Sequence, residues 1–348
     1  MKFLRALHTA TGVRWIAVGI TAVAFCAGFF LHYFLSRNYA ENKTLVANSV
    51  TRVPVRDAGD AKKFLHISPL LLCDTGNKNF NQFEPLRRLV VAVEDAEKNK
   101  GALDTLGFYF QDLKTGAWTG VGENEKFSPA SLLKVPLMIA AFKYAESNPD
   151  FLSTQILYQG DFDINKLQTI KPSHPIEAGK QYTVEELVRR MVGESDNNAT
   201  KLLQDHLPSQ AILNAFTDIG FSYPSSDADY LSPKLYSYFF RLLYNASYLN
   251  RELSEKALQL LLINDFSDGI RAGVPSGVET AQKFGERTFY SSENGQVVWR
   301  ELHDCGIVYR PSGPYLLCVM TKGKDLKDLS EIIKELSAVT YQTVSAGL

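Results

Sequence analysis

Ser131 and Lys134 lie three residues apart in Phe127-Ser128-Pro129-Ala130-Ser131-Leu132-Leu133-Lys134-Val135-Pro136, ahead of the apolar run LMIAAF. On a helix that spacing sets the two side chains one turn apart, which brings the lysine amine within hydrogen-bond reach of the serine hydroxyl. A neutral amine there can take the hydroxyl proton, and the oxygen can then attack a carbonyl carbon. The same pair also arises by chance as a capping serine and a solvated lysine, so it gains meaning only in company. Glu194-Ser195-Asp196-Asn197-Asn198 is such company. Ser195 and Asn197 stand two residues apart in a tight polar joint, one able to move a proton and the other to hold a substrate carbonyl. A third stretch, residues 278–286, reads as a strand in which Lys283 contributes a positive charge and Gly285 lets a ligand approach the backbone.

These residues need elements to carry them. Phe83 to about Lys100 has apolar residues at helical spacing. LGFYFQDL (106–113) and AWTGVG (117–122) read as strands around a Lys114-Thr115-Gly116 turn. A helix should begin near Ser131, and TVEELVRRMVGESDNNATKLLQDHL (183–207) reads as two amphipathic helices joined at the Ser195 turn. Near the C-terminus, Cys305 and Cys318 flank Arg310-Pro311-Ser312-Gly313-Pro314. A two-residue hairpin centred on Ser312-Gly313 places Cys305 opposite Met320 and Cys318 opposite Ile307. The cysteines are then diagonal neighbours, as a disulfide or as two buried thiols.

In order, FSPASLLKVP, MVGESDNNAT and GIRAGVPSGVETAQKFGERT resemble segments of the class A β-lactamases and the wider penicillin-recognising serine enzymes, over roughly residues 85–345. The resemblance implies an α+β fold: a five-stranded antiparallel sheet flanked by helices, beside an all-helical subdomain at about 150–265. It also implies that Ser131 is the nucleophile, Lys134 its base, Ser195 a proton relay and Asn197 a holder of the substrate amide. The backbone N–H groups of Ser131 and Glu286 would form the oxyanion hole, and Lys283 would attract a substrate carboxylate. Two departures stand out. The family's Lys-Thr-Gly is Lys283-Phe284-Gly285 here, which removes a hydroxyl that binds the β-lactam carboxylate and points to an apolar substrate group at Phe284. Arg271 and Arg287 are candidates to supply the missing contact. The family's Glu-x-x-Leu-Asn loop, which activates the deacylating water, is also missing between Asn198 and Leu231, where Asp227 and Asp229 are the candidate replacements. The literal Lys114-Thr115-Gly116 precedes the serine and reads as a turn only.

From Trp15 to Leu35 the chain carries no Asp, Glu, Lys or Arg, and its length suits the ~20 residues of a membrane-crossing helix. Lys2, Arg5 and Arg14 precede it, which favours a cytoplasmic N-terminus (1–14), a single-pass anchor (15–35), a polar stalk (36–83) and an extracytoplasmic domain (84–348). The stalk's apolar patch from Ile67 to Cys73 is a candidate to dock on the body. With 37 Lys and Arg against 38 Asp and Glu there is no positive field to attract nucleic acid, and the six scattered histidines and four cysteines offer no metal-ligand spacing. No metal, cofactor or protein partner is expected. The reading is a membrane-anchored acyl-serine hydrolase acting on a β-lactam or related amide. A D,D-carboxypeptidase or transpeptidase acting on peptidoglycan peptides, and a non-turnover sensing module, remain as alternatives.

Overall fold

The computed structural model describes residues 55–56, 63–72, 80–218, 220–221 and 230–346. The anchor at 15–35, most of the stalk, Cys26, Cys73, Asp227 and Asp229 lie outside the described residues. Among the described residues no helix is long and apolar enough to cross a membrane.

Five strands form one antiparallel sheet: β1 (Thr105–Asp112), β2 (Trp118–Val121), β5 (Glu279–Tyr290), β6 (Val297–Tyr309) and β7 (Tyr315–Gly323), in the spatial order β2-β1-β7-β6-β5. Between them in sequence, β3 (Gln155–Leu157) and β4 (Gln181–Thr183) make a small separate pair. Strands covered on both faces need apolar residues at nearly every position, as in LGFYF of β1 and YLLCVM of β7. Alternation then sorts them. Leu106, Phe108, Phe110, Leu317 and Val319 pack with Leu86 and Val90 of α1 (Glu84–Asn99) and with Leu329 and Ile333 of α9 (Leu326–Ser345). Tyr109, Cys318 and Met320 face the helical part instead. That part comprises α2 (Lys134–Ser147), α3 (Val184–Gly193), α4 (Asn197–His206), α5 (Ser209–Thr217), α6 (Pro233–Tyr244) and α7 (Arg251–Leu262), with the short α8 (Ile270–Gly273) leading back to the sheet.

The final hairpin departs from the expected register. Cys305 pairs directly with Cys318, and Val308 with Tyr315, so the turn is longer than a Ser312-Gly313 turn and centred one residue earlier. Proline explains the difference. It has no N–H to give the ladder and its fixed φ suits the second position of a turn, so Arg310-Pro311-Ser312-Gly313 closes with Gly313 N–H donating to Arg310 O at 3.0 Å. The two cysteines are joined by a disulfide.

The described end of the stalk lies on the body. Phe64 and Ile67 are buried in the helical-side core, and Ser68 N–H donates to Tyr244 O at 2.7 Å. Glu255 of α7 accepts the N–H groups of Leu65, His66 and Ile67 at 3.1, 2.9 and 3.1 Å. The His66 ring nitrogen Nδ1 lies 2.6 Å from the same carboxylate.

Candidate active site

The chain enters the site through a strained turn. Ala130 has φ 46°, a conformation that L-residues rarely adopt, and it begins a 3-10 turn, Ala130–Leu133, that holds Ser131 just ahead of α2. Lys134 opens α2 with its side chain buried. Across the cleft, Ser195 also takes a left-handed conformation, φ 57°, between α3 and α4. Asp196 caps α4 by accepting from Asn198 N–H and Ala199 N–H at 2.8 and 3.1 Å, which fixes the turn that displays Ser195 and Asn197.

The Ser195 hydroxyl lies between two amines. Lys134 Nζ is 3.0 Å from Ser195 Oγ and donates also to Ser195 O (2.6 Å) and Asn197 Oδ1 (2.7 Å). Lys283 Nζ reaches the same Ser195 Oγ at 2.9 Å and donates to Phe284 O at 2.9 Å. Ser131 Oγ is hydrogen-bonded to none of the described residues, and the direct Lys134 contact expected from sequence is replaced by this grip on the Ser195 turn. Burial pushes the Lys134 amine well below its ordinary value, and the neighbouring Lys283 charge adds to this against the pull of Asp196 and Glu286. Burial brings Lys283 down to about 7 against the pull of Asp304 and Asp265. Asp304, buried across the sheet, is pushed up to about 7 by burial despite the Ile270 N–H that its Oδ2 accepts at 2.9 Å.

Gly285 allows β5 to close on the serine turn. A Cβ there would stand 3.0 Å from Pro129 O and 3.2 Å from Leu132 N, tight enough to push β5 away from the turn that carries the Ser131 N–H, and glycine avoids that crowding.

Two expected binding residues are occupied elsewhere. Phe284 is 2% exposed and stacks on Phe266 with centroids 4.4 Å apart, on the sheet face away from the helical part, so its ring offers no open apolar surface to a substrate. Strand alternation explains this: Lys283 points to the site and its neighbour must point away. Arg271 donates to the carbonyls of Asn264, Leu262 (2.9 Å) and Thr280 (3.2 Å), which ties the α7–α8 connection to β5 instead of meeting a carboxylate. Arg287 is nearer the site, with Nη1 donating to Ser128 Oγ at 2.7 Å, three residues before Ser131. Asp227 and Asp229 lie outside the described residues.

Several residues of the site carry no sequence signal. Asn165 donates to Asp196 Oδ1 (2.8 Å) and accepts from Asn197 N–H (2.7 Å), Gln168 donates to Ser195 O (3.0 Å), and Tyr236 donates to Leu132 O (2.9 Å). Each acts through one side chain on a backbone group or a carboxylate far away in sequence. Only Asp196, a helix-capping type ahead of a helix, was open to recognition.

Residues 87–344 match the model of the β-lactamase enzyme family. The chain belongs to that family. The β-lactamase of Streptomyces albus G is 26% identical over 234 residues, 60% of this chain and 74% of that protein. The β-lactamase L2 of Stenotrophomonas maltophilia is 29% identical over 151 residues, 43% of this chain and 48% of that protein. Among solved structures, PBP-A superimposes with a TM-score of 0.61 at 22% identity, over 74% of this chain and 96% of that one. The β-lactamase from Sphaerobacter thermophilus gives 0.62 at 22% identity, over 74% and 97%. The protein is thus a serine hydrolase of the class A β-lactamase type, and the α+β fold expected from its motifs is the one observed.

Proposed function

We propose that this β-lactamase family enzyme opens a β-lactam, or a related amide, through a covalent ester on Ser131. The observation that carries the reading is the Ser195 hydroxyl held between Lys134 and Lys283 at 3.0 and 2.9 Å. Lys134, whose charged form burial disfavours, takes the Ser131 proton as Oγ attacks the carbonyl carbon. The oxyanion forms against the N–H groups of Ser131 and Glu286. As the C–N bond breaks, the proton passes from Lys134 through Ser195 Oγ to the leaving nitrogen, and the acyl group remains on Ser131. Asn197, whose Oδ1 already accepts from Lys134, has its NH2 donors for the substrate's amide carbonyl. Lys283 draws the substrate carboxylate. Water then cleaves the ester, with Asp227 or Asp229 as its activator.

A second reading is favoured by the missing Glu-x-x-Leu-Asn: slow deacylation, as in a D,D-peptidase acting on peptidoglycan peptides. One of the solved relatives supports acylation by penicillins in this fold, since a mutant of PBP-A was determined as an acyl-enzyme complex with penicillin G. The reading places the catalytic part outside the cytoplasm, tethered through residues 15–35, on the strength of that segment's length and lack of charge. Protease accessibility in intact cells tests the tether.

For the chemistry, a fluorescent penicillin is followed on the full-length chain beside Ser131→Ala. Label that forms and is lost with release of opened product supports the β-lactamase reading. Serine-dependent label that persists supports the peptidase reading. Label that survives on the alanine variant removes Ser131 as the nucleophile.

A further inference from the structure

The proposed steps use the backbone of Glu286, and its carboxylate, beyond its pull on the Lys134 charge, has a second set of partners. Glu286 Oε1 accepts two consecutive backbone N–H groups, Thr169 at 2.6 Å and Ile170 at 2.8 Å. Those amides end a short segment, Ile164–Ile170, whose other end is fastened to the helical wall. There, Asn165 bridges Asp196 Oδ1 and Asn197 N–H, and Gln168 donates to Ser195 O. One strap therefore runs from the Ser195–Asn197 turn to β5, where Glu286 holds it by hydrogen bonds and Ile170 packs on the sheet-side core.

The strap's position relative to a substrate follows from its anchors. The strap is hydrogen-bonded to the Asn197 N–H at one end and to the Glu286 carboxylate at the other, so it spans the two walls that carry Asn197 and the Glu286 peptide. Ser195, Lys134 and Lys283 are 1%, 3% and 0% exposed, while Leu167 of the strap is 83% exposed. A carboxylate is suited to the fastening because charge strengthens both hydrogen bonds while leaving only one residue to move.

We propose that the Glu286 carboxylate is a positioning and specificity-determining latch: by holding the 164–170 strap against β5 it selects substrates with compact acyl side chains over bulky ones. The proposal rests on the acyl-serine reading, and its test separates the two.

Two β-lactams with one nucleus, bearing a small or a branched aromatic acyl side chain, are compared on the full-length chain and on Glu286→Ala, Glu286→Gln and Thr169→Pro. In Glu286→Ala the ratio of kcat/KM for the bulky to the compact substrate should rise by about tenfold, mainly through KM, the scale of losing hydrogen bonds to a charged acceptor. Glu286→Gln keeps an acceptor oxygen and should rise less. Thr169→Pro removes one donor from the other side and should shift the ratio in the same direction, and combining it with Glu286→Ala should add little. A ratio that stays within about twofold, or strict additivity, overturns the latch. Amide exchange of substrate-free protein gives a readout without chemistry: Ile170 should exchange faster in Glu286→Ala than in the parent, and equal protection also overturns it. If neither β-lactam acylates Ser131 in the parent chain, the acyl-serine reading fails, and with it the selection the latch is proposed to make, while the exchange result still decides the fastening itself.

Discussion

Lys283→Met tests whether one buried lysine tunes the other. Both amines touch the same Ser195 oxygen at 3.0 and 2.9 Å, so they stand no more than about 6 Å apart. Two unit charges at that distance repel by about 3 kcal/mol at an effective dielectric near 20, worth up to about two pH units. The repulsion acts on the protonated form of Lys134, which burial already disfavours, so removing Lys283 makes Lys134 easier to protonate. Acylation uses the neutral amine. The acid limb of kcat/KM should therefore move to higher pH in Lys283→Met, by up to about two units. Lys283 comes down to about 7, so it carries its charge on the acid side, where the limb is read. The assay is single-turnover acylation across pH with a neutral thioester or ester, because a substrate carboxylate would also lose its partner and blur the comparison. An acid limb that stays within about half a unit, or moves to lower pH, refutes the reasoning.

Three further outcomes follow from the same geometry. Gly285→Ala puts a Cβ 3.0 Å from Pro129 O and should separate β5 from the serine turn, lowering the acylation rate by about tenfold to a hundredfold, and a parent-like rate in stopped flow would deny that this contact shapes the oxyanion hole. Asp304→Asn removes the strongest carboxylate support for protonated Lys283, so the alkaline limb for carboxylate-bearing substrates should fall to lower pH while that for a neutral ester stays; a limb that rises rejects the coupling. Burial raises the Glu255 carboxyl, but the N–H groups of His66 and Leu65 and the imidazole outweigh it and hold its pKa below the ordinary value. Its stabilising effect is thus present above the ordinary glutamate pKa and lost as pH falls through the lowered one. Glu255→Gln should cost about 2 kcal/mol at neutral pH in urea melts and flatten their acid dependence; equal stability at neutral pH would show that the stalk contact contributes nothing.

How much of this was legible in the sequence divides by distance along the chain. Ser131 and Lys134, or Ser195 and Asn197, announce themselves because local spacing fixes their direction on one turn. Phe284 departs from the place its motif implies because strand alternation sends every second side chain of β5 to the far face. Arg271 was misread because its partners are backbone carbonyls, which no residue type advertises. The hairpin register slipped because Pro311 was counted inside the ladder it cannot join. Glu286 and Thr169 are joined across 117 residues by a side chain and a bare N–H, a contact that neither pattern nor composition encodes.

The two lysines also show why residue identity alone does not assign roles. Each lies on the same hydroxyl, each is buried, and desolvation disfavours the charge of both. Their surroundings differ in the order that matters. Lys134 has the other amine as its foremost charged neighbour, whereas Lys283 has Asp304 and Asp265. Charge on Lys134 is therefore opposed both by burial and by the other amine, whereas charge on Lys283 is opposed by burial and supported by two carboxylates. A site that must remove one proton and attract one anion needs this asymmetry. It is set by the carboxylate under the sheet, on the face opposite the reacting groups, as much as by the lysines that would touch the substrate.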